Sequence, residues 1–159
     1  MSEETGENNG FNTKRWLLAG CVIVGSLLLV VMVMLTVVIV PNFINMGFKA
    51  KRAEVPSNLR TIKTAQMQYE SQWKQFVPAK PYPPTPTKTT QRWEGGNSGG
   101  FKVLDWQPGG EVRGSYWVEV HGEDFTAYGV SDLDGDGVYA TYVATKSENP
   151  HLITTPNVY

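Results

Sequence analysis

Residues Asp132-Leu-Asp134-Gly-Asp136-Gly137 place three carboxylates at alternate positions ahead of a glycine. That spacing lets short acidic side chains converge on one hard cation, while glycine permits the sharp turn such a loop needs. The pattern matches the first half of a calcium loop, with Asp132, Asp134 and Asp136 as candidate ligands and the backbone carbonyl of Val138 as the next. The position of the expected closing glutamate holds Val143, so Glu123, Asp124 or Glu148 would have to reach in from elsewhere. The competing reading is a plain Asp-Gly hairpin turn whose carboxylates are solvated. In the first reading Ca2+ is a structural ion; no other cofactor is expected.

No catalytic constellation accompanies the aspartates, and the chain reads as a non-enzyme. His121 and His151 lack a spaced partner, no Gly-x-Ser-x-Gly nucleophile motif occurs, and Gly95, Gly96, Gly99 and Gly100 are not expected to open a helix as a phosphate cradle would. Trp93, Trp106 and Trp117 have faces that can stack on a sugar ring, although aromatics in a small sheet more often form core. Cys21 is the sole cysteine, which excludes a disulfide, a zinc quartet and a thioredoxin-type pair. Leu18-Ala19-Gly20-Cys21 spells a lipoprotein cleavage box, but only five residues separate Arg15 from Cys21 and the apolar run follows the cysteine.

The element that must carry these residues is the run Trp16 to Val40, without a charge or proline. As a helix it would extend about 38 Å, enough to cross a hydrocarbon core of about 30 Å. Residues 16–40 are therefore expected to span a membrane, with Gly20, Gly25 and Ser26 as close-approach positions for other membrane helices. Residues 1–15 read as a polar, disordered tail. The flanking charges are nearly balanced, Lys14 and Arg15 against Lys49, Lys51 and Arg52, so they do not set topology.

Residues 41–77 continue as an amphipathic helix in which Leu59, Ile62, Ala65 or Gln66, Tyr69, Trp73 and Phe76 recur at steps of three and four. Pro41 and Pro56 permit kinks, Ser57 offers a cap, and Pro78 sets the end near Phe76 or Val77. Residues 78–100 are rich in proline and then glycine and read as a long loop. It serves either as a spacer or as a partner surface presenting Tyr82, Arg92 and Trp93. Residues 101–159 read as an antiparallel sheet: runs at Phe101–Leu104, Val112–Val120, Phe125–Val130 and Val138–Ala144 alternate with turns. The apolar helical stripe should cover one face. The fold class is α+β.

The chain has 159 residues, 14 Lys plus Arg against 15 Asp plus Glu, and a formal charge of −1. Roughly 110 residues outside the tail and the span suffice for one modest domain. Without a basic face, nucleic acid is not an expected partner.

This order of elements resembles the type IV pilin and pseudopilin family. Ile39 to Phe43 (IVPNF), Ala50 to Glu70 (AKRAEVPSNLRTIKTAQMQYE), Val112 to Val118 (VRGSYWV) and Phe125 to Gly137 (FTAYGVSDLDGDG) are similar to segments of such proteins. The resemblance implies a long N-terminal helix packed on a small sheet. It also implies a single pass through the inner membrane, with the N-terminus cytoplasmic and the C-terminal domain extracytoplasmic. Some pseudopilins carry calcium in a loop of that sheet. The front end departs from the family: the glutamate expected as fifth mature residue falls at Val24, cleavage would fall between Ala19 and Gly20, and Gly10-Phe11 is followed by Asn12, Thr13, Lys14 and Arg15. The span is therefore expected to stay uncleaved, in a permanently anchored subunit of an envelope or membrane complex. Its partners would be other membrane proteins through the helix and an extracytoplasmic protein through the head. A calcium-dependent tethered binding module and a processed pilus or pseudopilus subunit are the alternatives.

Overall fold

A computed structural model of the chain describes residues 10–94 and 99–159. It divides into two compact units, Met1–Asn45 and Met46–Tyr159. Helix α1 covers Gly10–Arg52. It contains an 18-residue window of mean hydropathy 3.1, long and apolar enough to cross a membrane, none of it buried. Its assignment continues through position 41, so Pro41 does not end it.

Helix α2, Glu54–Trp73, begins one residue after α1. The expected cap at Ser57 is not used: Ala53 precedes the helix without a side-chain cap, and the Ser57 amide already donates to the Ala53 carbonyl. Pro56 falls in the first turn, where backbone N–H groups have no intrahelical acceptor, so its missing donor costs nothing there. The buried stripe is Val55, Leu59, Ile62 and Gln66, at steps of four, three and four. It stops short of the predicted end because Lys74 turns left-handed (φ 55°), its amide donating to the Glu70 carbonyl. Trp73, expected in the lid over the sheet, is consequently 63% exposed, whereas Phe76 and Val77 enter the core from beyond the helix.

Five strands form an antiparallel meander in the order β1 (Ala79–Tyr82), β2 (Ser115–His121), β3 (Asp124–Ser131), β4 (Ala140–Thr145) and β5 (His151–Leu152). The α+β class is observed. Three elements depart from expectation, the first being β5, which no expected run included. The 78–100 segment contains β1, which tolerates Pro81 because it is an edge strand with an irregular register against β2. Phe101–Leu104, expected as a strand, lies instead in and just after the short helix α3 (Gly100–Val103). Phe101 and Leu104, three residues apart, are both buried, which suits a helical repeat and not the alternation of a strand. Close packing requires glycine at 100, where a Cβ would lie 2.0 Å from the Pro78 carbonyl oxygen.

Strand alternation puts Tyr116, Val118, Phe125, Ala127, Tyr142 and Ala144 on the face toward α2, within one core that includes Val55, Leu59, Ile62 and Phe76. Gly129 allows the approach: a Cβ there would sit 2.6 Å from Val55 Cγ1. The opposite face carries the cross-strand row Trp117, Tyr128, Val143 and His151, with the Trp117 and Tyr128 rings stacked at 4.8 Å.

Candidate functional site

The loop leaving β3 gathers the three aspartates: one carboxylate oxygen from each of Asp132, Asp134 and Asp136 lies within 4.8 Å of the others. The turn is built by the acids themselves. Asp132 Oδ1 accepts from the Gly135 amide (2.6 Å) and Oδ2 from the Gly137 amide (3.3 Å), while Asp136 Oδ1 accepts from Val138 N–H (2.7 Å). Gly135 and Gly137 adopt φ of 74° and 82°, a region glycine reaches without strain. Asp134 Oδ1 is shielded from solvent and lacks a hydrogen-bond partner. An all-oxygen donor set with one orphaned carboxylate oxygen fits a hard cation such as Ca2+, the remaining positions falling to water and to the Val138 carbonyl.

Two features weigh on the other side. The auxiliary ligands do not converge: Asp124 begins β3 opposite His121, and Thr145, which precedes Glu148, pairs with Thr126. Glu123, Asp124 and Glu148 therefore sit about one strand length, roughly 25 Å, from a loop that begins after Ser131. Val143 occupies the closing position inside β4, facing Tyr128. Lys88 also reaches the loop, its Nζ 2.8 Å from where a Cβ on Gly135 would be, so a metal ion would share the site with a fixed positive charge.

Tyr82 and Trp93, expected at a partner surface, join an aromatic cluster. Trp93 meets Tyr82 (4.8 Å), Trp106 (5.2 Å) and Phe101 (5.5 Å) edge-on. The Trp106 indole N–H donates to Thr61 Oγ1. Trp93 thus anchors its segment to the core, and Arg92 alone of the three is exposed. Gln91 and Val112 exchange both backbone hydrogen bonds alongside.

On α1, Gly20, Gly25 and Ser26 are exposed, as is Cys21. A Cβ at Gly20 or Gly25 would meet nothing within 4 Å, and Ser26 Oγ donates to the Ile23 carbonyl within the helix.

Sequence reasoning missed three polar latches; of these only Gln66 carried a signal, its place on the apolar stripe with Leu59 and Ile62. Glu54 Oε1 accepts from the amides of Arg113 (2.8 Å) and Gly114 (3.2 Å) and from Tyr116 Oη (3.1 Å), and the Arg113 guanidinium approaches Oε2 at 3.5 Å. Asn58 Nδ2 donates to the same tyrosine oxygen. Burial first, and then the Glu54 charge, pushes the Tyr116 hydroxyl far above its ordinary range. Gln66, fully buried, donates to the Val77 carbonyl and accepts from its amide, closing a two-bond clasp on the chain that leaves α2. Arg52 donates to the carbonyls of Pro156 and Val158 and lies over the rings of Tyr142 and Tyr159.

No protein-family model, curated protein or solved structure matches the chain.

Proposed function

We propose that the protein is a membrane-anchored, non-catalytic, pilin-like subunit of an envelope or membrane protein complex. In this reading residues 16–40 span the inner membrane once, the N-terminus is cytoplasmic and the C-terminal domain extracytoplasmic. One observation carries it: the 16–40 run of α1 carries no charge on any side and is exposed throughout its described part, whereas residues 46–159 bury a complete core of their own. A helix without a polar face needs lipid or other apolar helices around it. The element order, a long N-terminal helix followed by α2 against the inner face of an antiparallel sheet, supports the pilin-like part of the reading. The helix would engage other membrane proteins through Gly20, Gly25 and Ser26, and the head an extracytoplasmic partner.

The test is mild solubilisation and mass spectrometry of the intact protein. The expected result is alkali-resistant membrane association, a stoichiometric membrane-protein partner and a peptide spanning Gly10 to Lys14. A mature chain starting at Phe11 or at an acylated Cys21, or purified filaments of this polypeptide, would overturn it.

The orphaned Asp134 oxygen supports a second reading, a calcium-dependent binding module tethered to the membrane. In that case chelation releases the extracytoplasmic partner, and Lys88→Met, which removes the competing charge, tightens Ca2+ binding. Assembly through the helix alone survives chelation.

A further inference from the structure

Early termination of α2 leaves an open cleft of about 340 Å³ between its last turns and α3. Gln68, Tyr69, Gln72 and Trp73 line one side, Val103 and Asp105 the other. Tyr69 and Trp73, one helical turn apart, hold their rings 6.1 Å apart at 32°, with Trp73 largely in solvent. Asp105 is held at φ 50°, and among the described residues neither its carboxylate nor the Gln68 and Gln72 amides have a hydrogen-bond partner. No basic side chain lines the cleft, so its single negative charge is uncompensated there.

We propose that this cleft binds an organic ammonium ion. The faces of tryptophan and tyrosine carry negative quadrupole potential that attracts a weakly hydrated cation, and a nearby carboxylate adds to it. The two glutamine amides supply acceptors for a polar substituent on the guest. The volume lies at the lower end of small-ligand pockets, which suits a headgroup-sized molecule. The inference stands on residues 65–73 and 103–105 alone and is independent of whether the protein is pilin-like or binds calcium.

Full-length protein in phosphatidylglycerol nanodiscs, which lack choline lipid, is titrated with choline chloride at constant ionic strength. The readout is the Trp73 indole N–H resonance, assigned by its loss in Trp73→Phe. A saturable shift is expected, weakened about tenfold in Asp105→Asn; the position is exposed, so the variant keeps the wild-type melting temperature. 3,3-Dimethylbutanol, the uncharged counterpart of choline, is expected to give no saturation. A linear response to choline, an equal response to the neutral alcohol, or unchanged affinity in Asp105→Asn would overturn the proposal. Separately, a twelve-residue lysine-rich peptide is expected to displace choline only if the natural cation is a protein side chain; displacement assigns the source, and its failure assigns a free small molecule.

Discussion

Replacing Glu54 with alanine should be the most damaging single change outside the hydrophobic core. The carboxylate gathers three donors on one oxygen, two of them backbone amides at the entry to β2. Hydrogen bonds to a charged acceptor contribute about 1.5–3 kcal/mol each, and buried donors left without one cost about 1–3 kcal/mol. Two considerations lower the sum. The Glu54 and Arg113 side chains retain 18% and 27% of their exposure, so the 3.5 Å ion pair adds little. Water can also enter the space that the shortened side chain vacates. A net loss of about 3 kcal/mol is expected, or roughly 10–15 °C in melting temperature for a unit of this size. Glu54→Gln keeps an acceptor oxygen but loses the charge and turns an amide toward the Arg113 guanidinium, so about half that loss is expected. Glu123→Ala, at an exposed turn position, should stay within about 0.5 kcal/mol of wild type. Guanidinium unfolding of the full chain in micelles, followed by tryptophan fluorescence, ranks the three. Alanine within 0.5 kcal/mol of wild type, or glutamine as harmful as alanine, would refute a charge-based latch.

The Tyr116 hydroxyl, raised chiefly by burial and then by Glu54, titrates higher in the folded than in the unfolded chain. From about pH 9 the folded chain binds progressively more protons than the unfolded one, and stability should fall by about 1.4 kcal/mol in all between pH 9 and pH 11, most of it in the upper unit; urea midpoints at pH 9, 10 and 11 measure this, with Tyr116→Phe losing that fall. Arg52→Lys keeps the charge but not the planar guanidinium whose Nη1 serves two carbonyls and whose plane overlies two rings, so a loss of about 1–2 kcal/mol and faster amide exchange across Thr154–Tyr159 are expected.

What could be read from the chain alone was whatever depends on near neighbours. The stripe Leu59, Ile62 and Gln66 shows as a helical period, β2 to β4 show as alternation, and the Asp132–Asp136 turn is closed by amides within five residues. The misses follow from long-range geometry. Glu54 meets its partners 59 to 62 residues later, and Arg52 meets Pro156 at a separation of 104. Neither carries a local signature. Strand β1 was hidden by Pro81, because edge position, which makes the proline tolerable, is a property of the sheet and not of the strand. Trp73 fits the helical repeat as well as Ile62 does; only the left-handed turn at Lys74 decides that the core receives Phe76 in its place.

The latches share a position that bears on how the C-terminal unit is held together. Arg52, Glu54 and Asn58 lie within seven residues where α1 gives way to α2, and they reach the C-terminal segment, the entry to β2 and the Tyr116 hydroxyl respectively. Gln66 performs the corresponding task two turns on, at the exit from α2. Apolar contacts between a helix and a sheet are tolerant of sliding, since one aliphatic surface resembles another. Directional bonds from four helix positions, three of them to backbone groups and one to the Tyr116 hydroxyl, are not. The core residues thus supply the attraction between α2 and the strands, while these polar side chains select one register of helix on sheet, so each is expected to be more sensitive to substitution than its share of buried area would suggest.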